Sequence, residues 1–468
     1  MTQAVRSPDR TEQRKLRGDF PTPAVLVQLV VDAVMPPIAP GQTVRVLDPA
    51  CGDGRFLLAA ADHVVRHGGR PVVHGVDVDT AAVREARRAV AQVGGAIESC
   101  VEHGDALTRD WAGAEFDVVL GNPPYLSQMS ITTSRGRSGS RGGGPYADAA
   151  AEFLALAIER ASPHRGRVGL VLPQSVLGSR DAEEIRATVD RQAAMIWSWW
   201  SPRKQFDADV LVCALGFERQ PGGSDGNSLR RSDDRAPVWS DVIVRSLGVP
   251  ALPRVSANGT AGDRATFTAN FRDEYYGMIA AVGDHESGPR LITSGLIDPD
   301  RCWWGERTVT FNKRAFERPR IDLGALSERM QSWAERLSVP KVLIANQTKI
   351  IECVVDPDGT SLPGVPVVTA RPHRHEPAEL HAIAAVLSSP FASAWAWHRV
   401  AGTGLSARSV RVGPTLLADV PWPAGALGVA IDEWRAGDLE RSAAAVHAAY
   451  GIRNEGDELL AWWRLLLP

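Results

Sequence analysis

The chain has 468 residues, 44% of them hydrophobic and 23% charged, the balance of an ordinary globular protein with room for two domains. No apolar run reaches the roughly 18–20 residues of a membrane span, and residues 1–17 are polar with no signal core, so a cytoplasmic protein is expected. The five cysteines are scattered without a C-x-x-C pair, which excludes zinc ribbons and disulfide frameworks and leaves no metal site to expect; the net charge of −3 speaks only mildly against a nucleic-acid partner.

In chain order, residues 44–48 (VRVLD) form a short apolar strand and Arg55–Arg66 has helical spacing. Residues 72–77 (VVHGVD) give a second strand. Residues 80–93 give an Ala/Arg-rich helix, with Thr80 as its expected N-cap. A third strand is expected at 98–102 and a fourth at 116–120 (FDVVL), followed by a helix at 149–160, a strand at 167–173 and a late strand at 210–217. Strands alternating with helices imply an α/β fold with a doubly wound, mainly parallel sheet, in which ligands bind at the carboxyl ends of the strands. In residues 193–200 the alternation of a strand places Trp197 and Trp199 on one face and Trp200 on the other.

Residues 220–236 (QPGGSDGNSLRRSDDRA) have no hydrophobic period and read as a linker. The expected division is a catalytic domain at 1–220, a linker at 221–240, a mixed α+β domain at 241–425 and a helical segment at 426–468.

The segment Asp48-Pro-Ala-Cys-Gly-Asp-Gly-Arg-Phe follows a strand and opens a helix. Gly52 and Gly54 permit a tight turn and close approach of backbone to a ligand at the helix N-terminus, with Ala50 between strand and turn. Asp77 ends the next strand, where a carboxylate can hold a ribose diol, and Asp105 follows the third, where it can reach an adenine amino group. Leu57 replaces the third glycine of a dinucleotide fingerprint, and no G-x-x-x-x-G-K-[ST] occurs, so the site is not that of a dinucleotide enzyme or a P-loop ATPase.

The tetrapeptide Asn122-Pro123-Pro124-Tyr125 follows the fourth strand directly. Two prolines fix φ and bias Asn122 toward an extended backbone. The Asn122 amide oxygen and the Pro123 carbonyl can then both accept hydrogens from an exocyclic amine, while Tyr125 offers a ring on which a base can stack. Such a loop catalyses by positioning and electrostatics.

These motifs resemble the amino-methylating DNA methyltransferases, specifically the gamma-order adenine-N6 class that includes the TaqI-like enzymes. The likeness runs over residues 17–219 and extends loosely through 340–345, 382–389, 402–413 and 416–423. It implies a class I, Rossmann-like domain that binds S-adenosylmethionine, with Thr22 and Pro23 of the FPTPAVLVQLVV segment flanking the methionine end of the cofactor. It further implies a carboxyl-terminal target-recognition domain. Phe206 is the aromatic that the likeness places beside a flipped base, and Asn at position 122 points to adenine rather than cytosine.

The substrate is then expected to be double-stranded DNA, with a monomeric enzyme, nucleoid-associated in a bacterial cytoplasm; pairing with a separate restriction endonuclease stays open. Residues 130–144 carry Arg135, Arg137 and Arg141 among glycines and serines, either as a flap that grips phosphates or as a solvated insertion. Residues 301–419 hold 15 Lys or Arg against 11 Asp or Glu, and a groove with Lys313, Arg314, Arg318 and Arg320 could follow a phosphate backbone. Two other readings stay open: a protein glutamine-N5 methyltransferase, because an amide poses the same chemical problem, and a non-catalytic DNA-binding protein with a vestigial cofactor site.

Overall fold

The computed structural model describes residues 21–92, 98–125, 139–144, 147–205, 210–220, 239–270, 272–374, 376–453 and 455–467. The chain divides into two compact units, 1–242 and 243–468. No helix among the described residues is long and apolar enough to cross a membrane.

The first unit is built on seven strands: β1 (Thr43–Asp48), β2 (Arg70–Asp77), β3 (Glu98–His103), β4 (Val118–Gly121), β5 (Arg167–Pro173), β6 (Ala193–Trp200) and β7 (Val212–Arg219). Their order in the sheet is β3-β2-β1-β4-β5-β7-β6. All neighbours pair in parallel except β7, which runs antiparallel to both β5 and β6. Five α-helices among the described residues serve this unit: α1 (Ala24–Val34), α2 (Arg55–Arg66), α3 (Thr80–Gln92), α4 (Ala149–Arg160) and α5 (Glu183–Gln192). This is the doubly wound, mainly parallel sheet expected from the alternation of strands and helices, with one late strand reversed.

The parallel register brings the strand ends to one edge. Asp48 lies opposite Gly75, and Asp77 opposite His103. Leu47 pairs with Val119, so β4 ends at Gly121 beside the end of β1. Crossover helices cover both faces, which is why the inner strands read as unbroken apolar runs: Val118, Val119 and Leu120 are buried, as are Val168, Leu170, Val171 and Leu172.

Helix α1 is seated by glycines. An added Cβ at Gly169 of β5 would lie 2.7 Å from Val34 Cγ2 and 2.9 Å from Val30 Cγ1. At Gly216 of β7 it would lie 2.9 Å from Val34 Cγ1. The missing side chains let α1 press onto the sheet and bury Val30, Val31 and Val34 completely, each worth roughly 1.5–3 kcal/mol. Pro23 precedes the helix, and its carbonyl accepts from the N–H groups of Leu26 and Val27. The depth of α1 therefore sets where Thr22 sits.

Helix α3 differs from expectation at its start. Thr80 is its first residue, and Asp79 is the cap: Asp79 Oδ1 accepts from Ala81 N at 2.7 Å and Ala82 N at 3.4 Å. A carboxylate answers two exposed N–H groups and favours the helix dipole better than a hydroxyl one residue later. In β6 a bulge between Met195 and Trp197 precedes the alternation, and Trp197 and Trp199 both pack against the core of this unit.

The second unit is mixed. Lys341–Ala345, Cys353–Asp356, Val367–Pro372 and Ala265–Ala269 form an antiparallel four-stranded sheet, and a second four-stranded sheet includes Arg290–Ile292, Arg320–Ile321 and Ser361–Pro363. The apolar segment at 382–389 forms the end of the buried helix Pro377–Leu387 and the turn after it. Helices Gly428–Arg435 and Leu439–Tyr450 pack on that helix, so the residues after 426 belong to the second unit and not to a segment apart. Lys341, fully buried, is answered by Asp356 at 2.6 Å.

Gly169→Ala is expected to destabilise the first unit by about 1–3 kcal/mol through overpacking under α1. A lower urea midpoint checks this; an unchanged midpoint would mean that the helix does not depend on that glycine.

Candidate active site

The turn after β1 needs backbone conformations that side chains disfavour. Gly52 has φ +50 and Gly54 φ +86, and Gly54 starts α2 with Ala86 Cβ only 3.1 Å from where its own Cβ would be. Beyond Gly52 an added Cβ would meet nothing within 4 Å, so the outer side of the turn is open. Asp77 fastens this turn from β2: its Oδ2 accepts from Gly52 N at 2.8 Å and its Oδ1 from Asp79 N at 2.8 Å. A carboxylate offers about four acceptor positions, the chemistry to which a ribose diol can donate. Asp105 is exposed and uses Oδ1 to accept from Leu107 N at 2.9 Å.

Asp48 is buried beneath the end of β4. Its Oδ1 accepts from Ala50 N at 3.1 Å, and an added Cβ at Gly121 would lie 2.7 Å from the same oxygen. Only glycine at 121 lets the carboxylate of β1 lie against the backbone that leads into Asn122. Burial raises the Asp48 pKa from 3.8 to about 8; the Ala50 N–H opposes the shift, and the charges of Asp77 and Asp53 add to it.

The Asn122 side chain is held from two directions. Its Nδ2 donates to Thr22 Oγ1 at 2.9 Å, and the Tyr125 hydroxyl donates to its Oδ1. Thr22 is itself buried, and its carbonyl accepts from Arg55 Nη1 at 2.7 Å. Arg55 also pairs with Asp53 at 2.8 Å, so one guanidinium ties the glycine-rich turn to the segment before α1. Burial pushes the Tyr125 phenol well above its ordinary pKa, with Cys213 and Asp148 adding to the shift, so the hydroxyl stays a donor. Pro123 is buried and Pro124 half-buried.

Thr22, Pro23, Asp48, Ala50, Gly52, Gly54, Asp77, Asn122, Pro123, Pro124 and Tyr125 thus belong to one edge of the sheet, with Asp105 following β3 on that edge. Phe206, Arg135 and Arg137 lie outside the described residues. Arg141 is placed differently from a flap residue: its guanidinium is mostly buried, pairs with Glu159 at 3.0 Å and donates to the Leu107 carbonyl at 3.1 Å. Buried Glu152 accepts from the N–H groups of Arg141 at 3.0 Å and Gly143 at 2.8 Å, which fastens residues 139–144 onto α4. The sequence reading passed over Gly121, Arg55 and Glu152. The glycine ahead of Asn122 was the visible signal for the first; pairing across distant segments gave none for the others.

The raised pKa of Asp48 has a signed consequence. The folded form holds a proton between 3.8 and about 8 that the unfolded form releases. This contribution to stability is fully present below 3.8 and is lost as pH rises through about 8, with a slope approaching about 1.4 kcal/mol per pH unit between those values. The ligand-free protein is expected to melt lower as pH rises from about 6 to about 9, and Asp48→Asn to remove much of that slope. Equal slopes in both proteins would contradict the assignment.

Residues 10–195 match the family model described as N-6 DNA Methylase. A type II methyltransferase, M.VspI of Vibrio sp. (strain 343), is 26% identical over 160 residues, 34% of this chain and 38% of its own length. The methylase subunit of the type I restriction enzyme MjaIX of Methanocaldococcus jannaschii is 28% identical over 219 residues, 44% of this chain and 38% of its own. A release factor glutamine methyltransferase of Moorella thermoacetica is 29% identical over 115 residues, 24% of this chain and 39% of its own. The chain spans less than two fifths of the length of these relatives. Among solved structures, a type I restriction-modification methyltransferase subunit from Streptococcus thermophilus is 24% identical, covering 43% of this chain and 45% of that one with a TM-score of 0.36. The glycine-rich turn and the Asn-Pro-Pro-Tyr loop, which meet at one sheet edge, both lie within residues 10–195, the stretch that is similar to the N-6 DNA methylase family.

Proposed function

We propose that this protein transfers a methyl group from S-adenosylmethionine to N6 of an adenine turned out of double-stranded DNA, with its motifs in the gamma order. The observation that carries the reading is the Asn122 side chain, fixed by Thr22 and Tyr125 at the end of β4, beside the turn formed by Asp48, Gly52 and Asp77.

The residues fit the cofactor. The open side of Gly52 admits a ligand close to the backbone, and Asp77 places beside it a carboxylate, the chemistry to which ribose hydroxyls can donate. Asp105 is exposed where an adenine amino group can donate to it, and Asp48, Thr22 and Pro23 line the side toward Asn122. The bound cofactor supplies an electrophilic methyl group.

The chain's own residues prepare the nucleophile. Thr22 Oγ1 takes the amide hydrogen of Asn122, which turns Oδ1 toward the substrate side. An amide oxygen has two lone pairs, and the Tyr125 hydroxyl engages one. In the complex, Asn122 Oδ1 and the Pro123 carbonyl would accept the two hydrogens of the target amine. Its nitrogen lone pair, drawn out of conjugation, would then face the methyl group that a bound cofactor would supply, with the extra amine proton leaving to water. The Tyr125 ring and Phe206 would pack the base. No covalent enzyme intermediate is required.

The second unit, residues 243–468, supplies the surface for reading a long polymer, and we assign it as the target-recognition domain. Cleavage is left to a separate endonuclease, and a monomeric cytoplasmic enzyme suffices for the reaction. The similarity to a release factor methyltransferase keeps a glutamine side-chain amide as the second reading, since it too presents an NH₂ to such a loop.

Tritiated methyl donor offered with unmethylated bacterial DNA, or with release factor, separates the two: label in DNA is expected, and label in release factor alone would overturn the proposal. Asn122→Ala should lower transfer to DNA by at least roughly 100- to 1,000-fold with cofactor affinity kept within a few fold. Thr22→Val, which leaves the amide in place but removes its acceptor, should lower kcat by roughly 10- to 100-fold. Wild-type rates in either variant would remove Asn122 from its assigned role.

A further inference from the structure

The second unit carries two adjacent tryptophans with opposite electrostatic settings. Arg301 lies over the Trp303 ring at 3.5 Å and Arg307 at 5.0 Å. Both are neutralised locally: Arg301 pairs with Glu306 at 2.8 Å and Arg307 with Asp298 at 3.2 Å. Around Trp304 stand three arginines, Arg290 at 4.8 Å, Arg318 at 5.1 Å and Arg320 at 4.7 Å from the ring centroid. None of these three makes an ion pair among the described residues. Asp284, beside Arg318, is engaged by the backbone N–H groups of Glu317 at 3.1 Å and Arg318 at 2.8 Å.

Sharing one ring puts the three guanidinium groups within about a Debye length of one another, ~10 Å at 0.1 M salt. Arg290 and Arg320 are moreover direct partners across two antiparallel strands, a placement that repels unless an anion offsets it. The ring is itself fixed, because Trp304 Nε1 donates to the Pro319 carbonyl at 2.9 Å. Stacked guanidinium groups lose little further freedom on binding and keep donors at their edges for oxygen ligands. Arg320 already donates one N–H, to the Gly288 carbonyl at 2.6 Å; Arg290 and Arg318 are exposed.

The same stretch of chain holds a second cationic feature. The hairpin Val309–Phe311 and Arg314–Phe316 turns through Asn312 and Lys313 with φ +48 and +62, a two-residue turn of the type that favours glycine at its second position. Phe311 and Phe316 anchor the hairpin in the core, and exposed Lys313 and Arg314 sit at its tip without an ion pair among the described residues. Lysine where this turn favours glycine places a charge at the hairpin tip in a strained backbone conformation.

We propose that Arg290, Arg318 and Arg320 around Trp304, with Lys313 and Arg314 of the hairpin, form the surface on which the second unit grips the phosphates of double-stranded DNA. This rests on the function proposed above and assigns it a place in the fold. Contacts to phosphate fix register without reading sequence, so this surface contributes affinity and salt dependence, not site choice.

The test uses the full chain and a fluorescent DNA duplex of about 30 base pairs, with affinity followed against salt concentration. Arg290→Gln with Arg318→Gln should weaken binding by roughly 10- to 100-fold at low salt and reduce the slope of log K against log salt by about 2. Arg301→Gln with Arg307→Gln, on the neutralised tryptophan, should leave that slope within about 0.5 of the wild type. Lys313→Gly should raise the melting temperature, by relieving the turn, while lowering DNA affinity; a structural role alone predicts no loss of affinity. Wild-type slope and affinity in the Arg290/Arg318 variant, with a wild-type protein that methylates DNA, would overturn the surface and leave the function standing. A wild type that neither binds nor methylates DNA would overturn both, and binding confined to an RNA duplex would overturn the DNA assignment.

Discussion

The hydrogen bond from Asn122 Nδ2 to Thr22 Oγ1 joins two segments separated by 100 positions in sequence. It exists only because helix α1 lies deep against the sheet, where Gly169 and Gly216 leave room for Val30 and Val34. The same contact sets the direction of the Asn122 amide, so a packing constraint at mid-sheet becomes a chemical constraint at its edge. Gly121 adds the complementary condition on the other side by admitting the buried carboxylate of Asp48 under the loop. Small residues at three positions thus place the groups on which the proposed chemistry depends.

The cofactor side and the amine side of the site follow different physics. The turn after β1 is a backbone device, set by left-handed glycines and fastened by Asp77. The Asn122 loop is a side-chain device, stiffened by two prolines and held by hydrogen bonds to Thr22 and Tyr125. Arg55 connects them, reaching from the start of α2 to the Thr22 carbonyl and to Asp53. A change at either part is therefore felt at the other through one guanidinium.

Much of the first unit was legible because its signals are local. Helix Arg55–Arg66 and strand Arg167–Pro173 match their expected spans, since apolar period and flanking residues suffice to define them. The motif residues at the strand ends were legible for the same reason. What escaped depends on contacts between distant segments. Arg141 reads as a solvated charge in a glycine-rich stretch, yet Glu159 and Leu107 hold it. Thr80 reads as a cap, yet the adjacent carboxylate of Asp79 outcompetes it. In the second unit the strands are short and several pair antiparallel across long loops, so periodicity conveys little of their order. The difference between Trp303 and Trp304 likewise depends on which carboxylates the fold brings near each ring.

The central claim is that Asn122, held by Thr22, positions an adenine amino group in DNA. It is tested most directly by single-molecule sequencing of genomic DNA from cells expressing either the wild-type chain or the Asn122→Ala variant. The account predicts N6-methyladenine at one recurring sequence in the wild type and none in the variant. Unmodified DNA in both, or the same mark persisting in the variant, would contradict it.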